Sequence, residues 1–383
     1  MSARIAVGVS ESFDPVEAFS EAARDAAREL DAPCDLCILF AGPTHLGHAK
    51  WLLSTVHDEL SPTHLIGCGA SGVVGGGREI EGGAGAVVWA ASLPGVGVQT
   101  HHLEASPGKG AVAGLADGLD GDALVLLADP YSFATERLLE SVEAIRPGLP
   151  VLGGLVSAAA AGGGVLFRNG DVISGGAVAC SLDGVAVVPC VSQGAAPVGP
   201  EMTVTAAHDN VIEELASMPA LERVKEAIAE LPERERALAA EGLILGLVID
   251  ENQPEYERGD FLVRPIIGAD PDHGWIAVGE QVQVGQTVRL QVRDEASADE
   301  DLREALRTQS EAHASGGVAG ALLFTCNGRG SHMFTLPDHD AVAIEDTLGT
   351  PTAGFFCAGE IGPVGGRNFL HGFTATLAVF PAD

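Results

Sequence analysis

The sequence predicts an α/β fold of mixed sheets flanked by helices, and three observations lead to this class. Short apolar runs typical of buried strands alternate with segments whose apolar residues recur at helical spacing. A unit of strand, helix, strand and strand occurs three times, which indicates a repeat-built architecture. In each copy the last strand follows closely on the one before it, which favours mixed over purely parallel sheets.

The first two copies lie in the N-terminal half. They follow a strand at Ile5–Val9 and a helix at Pro15–Leu30, which Asp14 is expected to cap. The first copy is predicted to contain a strand at Leu36–Ala41, a helix over about 45–60, a segment at His64–Gly72 and a strand at Gly83–Leu93. The second copy is predicted to contain a strand at Ala123–Ala128, a helix over about Phe133–Ile145, a segment at Val151–Ser157 and a strand at Gly175–Leu182.

The third copy lies near the C-terminus, after a region that does not repeat. It is predicted to contain a strand at Ala321–Thr325, a helical or loop segment around Asp338–Leu348, a segment at Ala353–Gly359 and a strand at Gly372–Phe380. The region before it is predicted to hold a Gly/Pro-broken boundary at Val187–Val198, a helix at Asn210–Leu231, a charged solvated stretch at Pro232–Glu241, strands at Leu243–Ile249 and Phe261–Ile267, a hairpin within Trp275–Val292 and a helix at Asp299–Ala314. We divide the chain into two subdomains, residues 1–197 and 198–383.

Composition excludes several classes of function. The formal net charge of −32 repels phosphates, so we expect no binding to nucleic acid or to an anionic membrane surface. No segment reads as a signal peptide or a membrane span, and the seven cysteines form no regular framework. Free thiols in a reducing compartment fit a cytoplasmic protein. The acidity is also compatible with selection for salt tolerance.

Two Gly-rich stretches near the C-terminus, Phe324–Gly330 and Gly354–Phe380, collect reactive side chains between glycines. Glycine lets the backbone approach a ligand or adopt positive φ. We interpret the two stretches as the walls of one site that binds a small molecule; the alternative is that both are ordinary turns in a Gly-rich protein.

Arg329 is the leading candidate for a ligand contact. Its guanidinium can grip a carboxylate with two parallel hydrogen bonds. The alternative is a structural salt bridge to Glu360 or Asp129. Glu360 either receives a ligand ammonium group or pairs with an arginine or with backbone N–H groups, because an unpaired buried carboxylate is costly.

Seven further residues complete the predicted site. Asn368 and His371 either orient a ligand or are structural, and Asp129 lies either on the rim of the cleft or in a turn that it forms with Pro130. Cys326 and Asn327 follow the third copy's first strand, and Ser71 and Ser157 follow equivalent segments of the first and second copies.

A cysteine-dependent enzyme is an alternative hypothesis. Cys326, Cys357 or Cys68 would be the nucleophile, with His371 as base and Glu360 as the orienting group. Against it, Cys357 lies in an apolar run, where burial makes a thiol inert. We therefore expect no catalytic residues. Histidines such as His45 and His48 lack the companions of a tetrahedral metal site, so we expect no metal and no cofactor.

Several motifs resemble the FIST family, whose domains are named for F-box and intracellular signal transduction proteins. They include CNGRG, GFFCAGEIGPVGGRNFLHGFTATLAVF, IGCGASG, LADPYSF and VLGGLVSAA. The likeness runs over nearly the whole chain, with an N-terminal FIST region at about residues 30–195 and a C-terminal one at about 200–365.

The resemblance implies a sensory domain for small molecules, with amino acids as suggested ligands. Many members carry a signalling output domain, which this sequence does not show, so a separate signalling protein is expected as partner, and a homodimer is compatible with such a role. A protein-interaction adaptor like the F-box relatives is the alternative. The expected function is recognition of an amino acid or small carboxylate in a cleft between subdomains.

Overall fold

The computed structural model describes residues 3–105, 112–113, 119–160 and 163–382. The first repeat with its flanking elements comprises β1 (Arg4–Ser10), α1 (Pro15–Leu30), β2 (Leu36–Ala41), α2 (Ala49–Leu60), β3 (His64–Gly69), β4 (Gly72–Gly75), β5 (Arg78–Glu81), β6 (Ala86–Ser92), β7 (Gly97–Ala105) and β8 (Val112–Ala113). The second comprises β9 (Ala123–Ala128), α3 (Thr135–Ile145), β10 (Val151–Leu155), β11 (Ala159–Ala160), β12 (Gly163–Arg168), β13 (Asp171–Ser174) and β14 (Ala177–Asp183).

The remaining elements include the third repeat. Before it come β15 (Val188–Gln193), β16 (Ala195–His208), β17 (Val211–Leu215), β18 (Met218–Pro219), α4 (Ala220–Glu230), α5 (Glu233–Glu241), β19 (Leu243–Val248), β20 (Phe261–Ala269), β21 (Ile276–Val278), β22 (Thr287–Arg293) and α6 (Glu295–Ala312). The repeat itself comprises β23 (Val318–Cys326), α7 (His339–Leu348), β24 (Thr352–Cys357), β25 (Glu360–Val364), β26 (Arg367–His371) and β27 (Thr374–Pro381). The predicted α/β class is confirmed.

The three repeats share one strand-pairing pattern. In each, the first strand runs parallel to the second and antiparallel to the last. This holds for β2 with β3 and β6, for β9 with β10 and β14, and for β23 with β24 and β27. The sheets are therefore mixed, as the close succession of strands predicts.

Each repeat also contributes a strand to the sheet of another repeat. A short hairpin follows the second strand, and its first strand pairs antiparallel with the second strand of a different repeat. Thus β4 pairs with β24, β25 with β10, and β12 with β3. The exchange passes from the first repeat to the third, from the third to the second and from the second to the first, so it closes on itself.

The turns of these hairpins need residues that accept positive φ. Gly76 and Gly77 have φ of 58° and 71°, and Gly365 and Gly366 have φ of 58° and 79°. In the second repeat Asn169 takes the turn with φ of 49°. Glycine and asparagine tolerate this region at little steric cost, and tight hairpins of two residues require it.

Apolar side chains fill both faces of the three sheets. One core collects strand residues from all three repeats, and within it Phe40 of β2 stacks on Phe355 of β24 at 5.2 Å between ring centroids. Three other cores lie where each sheet meets its own helices: α1 and α2 in the first repeat, α3 in the second, and α6 with α7 in the third. The central core thus joins the repeats.

The chain divides into two compact units in space. The first contains residues 1–191, 302–370 and 374–383, and so includes all three repeats. The second contains residues 192–301 and 371–373. In the second, strands β16, β22, β19, β20, β21 and β17 pair antiparallel in a closed ring around a core of its own. The boundary predicted at 197/198 divides the chain into two continuous halves. In the structure the third repeat, although it lies in the C-terminal half, belongs to the same unit as the first two.

Some predictions for the non-repeating region are wrong. Only Ala220–Glu230 of the expected helix Asn210–Leu231 is helical, because positive φ at Ala216 and Ser217 reverses the chain between β17 and β18. The expected hairpin in Trp275–Val292 does not form: β21 pairs with β17 and β20, while β22 pairs with β16 and β19.

The charged stretch at Pro232–Glu241, expected to be solvated, contains helix α5, which buries none of its residues. Among the helices that the structure describes, none has both the length and the apolar character needed to cross a membrane.

Candidate functional site

The three repeats meet where their parallel strands end. Ser71 follows β3, Ser157 follows β10 and Asn327 follows β23, so each residue comes from a different repeat. The Ser71 hydroxyl lies 2.9 Å from Asn327 Oδ1 and 3.1 Å from Ser157 Oγ, and the Ser71 N–H donates to Ser157 Oγ at 2.8 Å. We call Ser71, Ser157 and Asn327 the Ser–Asn cluster. The strand exchange brings together residues that lie up to 256 positions apart.

The hydrogen-bonding capacity of the Ser–Asn cluster exceeds its internal bonds. The Ser157 hydroxyl donates to the Phe356 carbonyl, so its own proton is used. Ser71 has one hydroxyl proton and two oxygen neighbours, so it can serve only one of them at a time. The Asn327 amide adds two N–H donors on Nδ2. All three residues are half-buried, and water or a small ligand can therefore exchange with these bonds.

A buried ion pair lies two residues along the chain from Asn327. Arg329 and Asp340 have side-chain exposures of 0% and 1%. Arg329 donates from Nε to Asp340 Oδ2 at 2.8 Å and from Nη2 to Oδ1 at 2.7 Å. We call these residues the Arg–Asp pair. Two of the three guanidinium nitrogens of Arg329 thus donate to Asp340. The sequence had suggested Glu360 or Asp129 as the salt-bridge partner of Arg329, and neither takes that place.

Other groups fix the Arg–Asp pair in place. Thr325 Oγ1 donates to Asp340 at 2.8 Å, and His339 Nδ1 lies 2.9 Å from the same carboxylate. The Phe334 ring lies under the guanidinium at 5.1 Å. Burial by itself would raise the pKa of Asp340, but the Arg329 charge outweighs it and holds the pKa below the usual range of a carboxyl. Among the described residues, Arg329 Nη1 has no hydrogen-bond partner.

Glu360 is the second buried carboxyl of the region. Its Oε2 accepts bonds from Thr374 N at 3.1 Å and from Thr374 Oγ1 at 2.9 Å. Burial raises the pKa of Glu360 to about 8, although the Thr374 donors, the Cys326 thiol and the Arg329 charge oppose the rise. No hydrogen bond of standard geometry reaches Oε1 within the described chain. Glu360 is therefore mostly neutral at neutral pH.

Cys326 ends β23 beside this carboxyl. It is half-buried, and the Gly328 N–H donates to its sulfur at 3.4 Å. The Arg329 N–H closes the turn onto the Cys326 carbonyl at 2.8 Å. Cys357 is the register partner of Cys326 on β24 and is fully buried, which raises the pKa of its thiol well above the usual value. The turn thus presents Cys326 and Asn327 together.

Three of the predicted residues are not members of the Ser–Asn cluster. Asp129 accepts from Gly164 N at 3.3 Å and from the Ser132 hydroxyl, bonds that fit the turn-forming alternative. Asn368 bonds Val151 N and Leu149 O, each at 2.8 Å, at the opposite end of β10 from Ser157. His371 is buried and belongs to the second unit.

Asp340, Thr374 and Glu79 were not among the residues predicted from the sequence. Asp340 is in the first turn of α7, where two aspartates flank His339, and this acidic helix start was a usable signal. Glu79 Oε1 accepts from Asp340 N at 2.7 Å and from Ala341 N at 3.1 Å, so the first repeat's hairpin caps the third repeat's helix. This contact depends on strand exchange, which local sequence does not reveal.

Two surface cavities lie elsewhere. One of about 330 Å³ is lined by residues such as Glu29, Glu345 and Thr352, and one of about 760 Å³ follows α1 between Asp14 and Arg28. None of the nine predicted site residues, all of which the structure describes, lines either cavity. Within the same described ranges no group of histidine, cysteine and carboxylate side chains is arranged to hold a metal ion.

Comparison with known proteins gives the family. The models of the FIST N domain and the FIST C domain match residues 35–218 and 220–363. "Uncharacterized protein Rv0628c" of Mycobacterium tuberculosis (strain ATCC 25618 / H37Rv) is 45% identical over 383 residues, which cover 98% of this chain and 99% of the relative. "Uncharacterized protein Mb0898c" of Mycobacterium bovis (strain ATCC BAA-935 / AF2122/97) is 45% identical over 387 residues, with 99% of each chain covered. The chain therefore belongs to the FIST family, whose domains are associated with signal transduction.

Proposed function

We propose that this protein is a sensor that binds an amino acid or another small carboxylate at the Ser–Asn cluster. One observation carries the proposal. Hydroxyl and amide groups from three separate repeats are hydrogen-bonded to one another while they stay half-buried. Such groups can exchange their mutual bonds for bonds to a ligand, and they are the type that fixes the orientation of small polar ligands.

The charges nearby favour an anionic group over a cationic one. Arg329 supplies a buried positive charge, and its Nη1 is unpaired within the described residues. Glu360 does not oppose an anion at neutral pH, because burial raises its pKa to about 8 and keeps it mostly protonated. Asp340 engages the fork of Arg329 and offsets its charge, so in this proposal the pull on a ligand carboxylate comes from the N–H groups of Nη1.

Binding at this place also offers a route to a signal. The cluster connects the strand ends of three repeats, so a ligand that prefers one arrangement of these ends would shift the protein toward it. The response would pass to a separate signalling protein. A ligand that binds two arrangements equally would change nothing, however tightly it binds.

A thermal-shift screen against amino acids and small carboxylates tests the proposal. A ligand at about a hundred times its dissociation constant adds roughly 2.7 kcal/mol to the free energy of unfolding. We expect Ser71→Ala and Asn327→Ala to fold and to lose most of that gain. Ser54→Ala is the matched control, because the Ser54 hydroxyl is exposed and donates to Trp51 O in its own helix.

Arg329→Ala is a poor test, because it would leave Asp340 buried without its cation. A shift that survives in Ser71→Ala and Asn327→Ala would place the ligand elsewhere and contradict the proposal. No shift from a broad panel would favour the interaction adaptor, which affinity capture of partner proteins would then test.

A further inference from the structure

Two thiols face each other beside the Ser–Asn cluster. Cys326 and Cys357 are register partners on the parallel strands β23 and β24. The pairs Leu322–Ala353 and Phe324–Phe355, four and two residues earlier, lie in the central core, and side chains alternate along a strand, so both cysteines point to the same face. Neighbouring strands are about 4.8 Å apart, which is within the Cα separation of roughly 4.4–6.8 Å that a disulfide spans.

The two thiols differ in access to solvent. All seven cysteines lie in described segments, and Cys326 is the one that is not buried; Cys357 has an exposure of 0%. A dissolved reagent therefore meets Cys326 first. Cys357 lies behind it, with its sulfur packed against Gly154. An accessible thiol next to a buried one is the arrangement in which the first is oxidised and the second resolves it.

The groups around Cys326 favour this chemistry. The Gly328 N–H donates to its sulfur at 3.4 Å, and the Arg329 charge interacts with it, so a developing thiolate would be stabilised. Two fully buried polar groups lie in this neighbourhood. Arg329 Nη1 has no hydrogen-bond partner among the described residues, and the Glu360 carboxyl interacts with the Cys326 thiol itself. Arg329 Nη1 can donate to the oxygen of an oxidant, and Glu360 Oε1 can exchange a proton with it.

We propose that Cys326 and Cys357 form a redox-active dithiol that hydrogen peroxide oxidises to an intramolecular disulfide. In the first step the Cys326 sulfur attacks one peroxide oxygen, the O–O bond breaks, and the leaving hydroxide takes the thiol proton to become water. In the second step the Cys357 sulfur attacks the sulfur of the Cys326 sulfenic acid, and the S–O bond breaks. The leaving hydroxide takes the Cys357 proton as water.

The two steps balance as two thiols and one hydrogen peroxide giving one disulfide and two waters. The two sulfurs lose two electrons, and the peroxide gains them. Burial raises the pKa of Cys357, which keeps it a thiol and leaves the first attack to Cys326. The disulfide would join the ends of β23 and β24 directly beside Asn327. The proposal does not depend on which ligand the Ser–Asn cluster binds.

Peptide mapping of the intact chain tests the proposal. Reduced protein is treated with one equivalent of hydrogen peroxide, free thiols are alkylated, and the unreduced digest is analysed by mass spectrometry. We expect a peptide joining Cys326 to Cys357 in the majority of molecules, which a thiol reductant separates. Wild-type protein without this cross-link, or with a cross-link between other cysteines, would overturn the proposal.

Variants separate the two steps. In Cys357→Ala the sulfenic acid on Cys326 should persist and be captured by dimedone, whereas Cys326→Ala should take up no dimedone at this dose. Cys190→Ala, which removes another buried thiol, is the matched control and should form the cross-link like the wild type. Dimedone capture at a residue other than Cys326 would contradict the order of the steps. Circular dichroism on each variant checks that it is folded. Should a variant fail to fold, peptide mapping of the wild-type protein still tests the cross-link.

Discussion

The Ser–Asn cluster and the Arg–Asp pair are close along the chain but differ in solvent access and in how fully their groups are bonded. Asn327 and Arg329 are two residues apart, yet the first is half-buried and the second has an exposure of 0%. The cluster contains neutral groups whose bonds can be exchanged. The pair contains full charges that satisfy each other in a bidentate contact. A conspicuous arginine between glycines is thus part of a buried ion pair, whereas less conspicuous serines and an asparagine keep the solvent access that the proposed binding requires.

This contrast has a physical cause. A buried charge must be paired, because the cost of taking an ion out of water is several kcal/mol. A half-buried hydroxyl or amide can instead return to water when its partner leaves, at a net cost of about 1 kcal/mol. Binding sites that must open and close are therefore more easily built from the second kind of group.

The largest effect is expected from breaking the Arg–Asp pair. Asp340→Asn keeps the shape but leaves the Arg329 charge buried without a counterion, so we expect a loss of about 3–5 kcal/mol in the free energy of unfolding. Urea unfolding measures it. Arg24→Ala is the control, because Arg24 pairs with Glu59 at the surface, and such pairs contribute about 0–1 kcal/mol. Equal losses in the two variants would contradict the assignment of Arg329 as a buried support.

An intermediate effect is expected from Glu360, and it depends on pH. The folded state holds a proton on Glu360 up to a pKa of about 8, while the unfolded chain releases it near the ordinary value of 4.5. Between these values the folded state binds more protons, so stability falls as pH rises, by up to about 1.4 kcal/mol per pH unit. Glu360→Gln removes this contribution, and its advantage over the wild type should grow from about pH 5 to about pH 8.

Urea midpoints at several pH values check this. Part of the slope should remain in Glu360→Gln, because burial and the neighbouring Asp340 charge raise the pKa of Glu79 to about 7. Glu213→Gln, at an exposed carboxyl, is the control and should run parallel to the wild type. A Glu360→Gln curve parallel to the wild type would show that Glu360 is ionised in the folded protein.

Much of the fold could be predicted from the sequence because it depends on local patterns. The first strands of the first two repeats, Leu36–Ala41 and Ala123–Ala128, have the bounds expected from their apolar runs. The hairpin exchange could not be predicted in this way. Its strands are short and Gly-rich, and β4 at Gly72–Gly75 finds its partner some 280 residues further along the chain in β24. Register between distant strands is set by packing in three dimensions, which local periodicity does not encode.

The candidate site was predictable to a similar extent. Ser71 and Ser157 were proposed because they follow equivalent segments of the first and second repeats, and Asn327 because it follows the first strand of the third. The three lie in hydrogen-bond contact. The partner of Arg329 could not be predicted, because any of several carboxylates satisfied the sequence pattern. The choice of Asp340 depends on where α7 begins. Asn368 was grouped with the site by proximity in sequence, yet β26 carries it to the far end of β10.

The smallest effect on stability, and the sharpest test of the contrast, is expected from Asn327→Ala. Its side chain is half-buried and its bond to Ser71 can be replaced by water, so the free energy of unfolding should fall by no more than about 1 kcal/mol. Urea unfolding beside Asp340→Asn measures the difference between neighbouring positions in one experiment. A loss of several kcal/mol in Asn327→Ala would mean that the cluster stabilises the fold as strongly as the Arg–Asp pair does, and its groups would then not be free to bind a ligand.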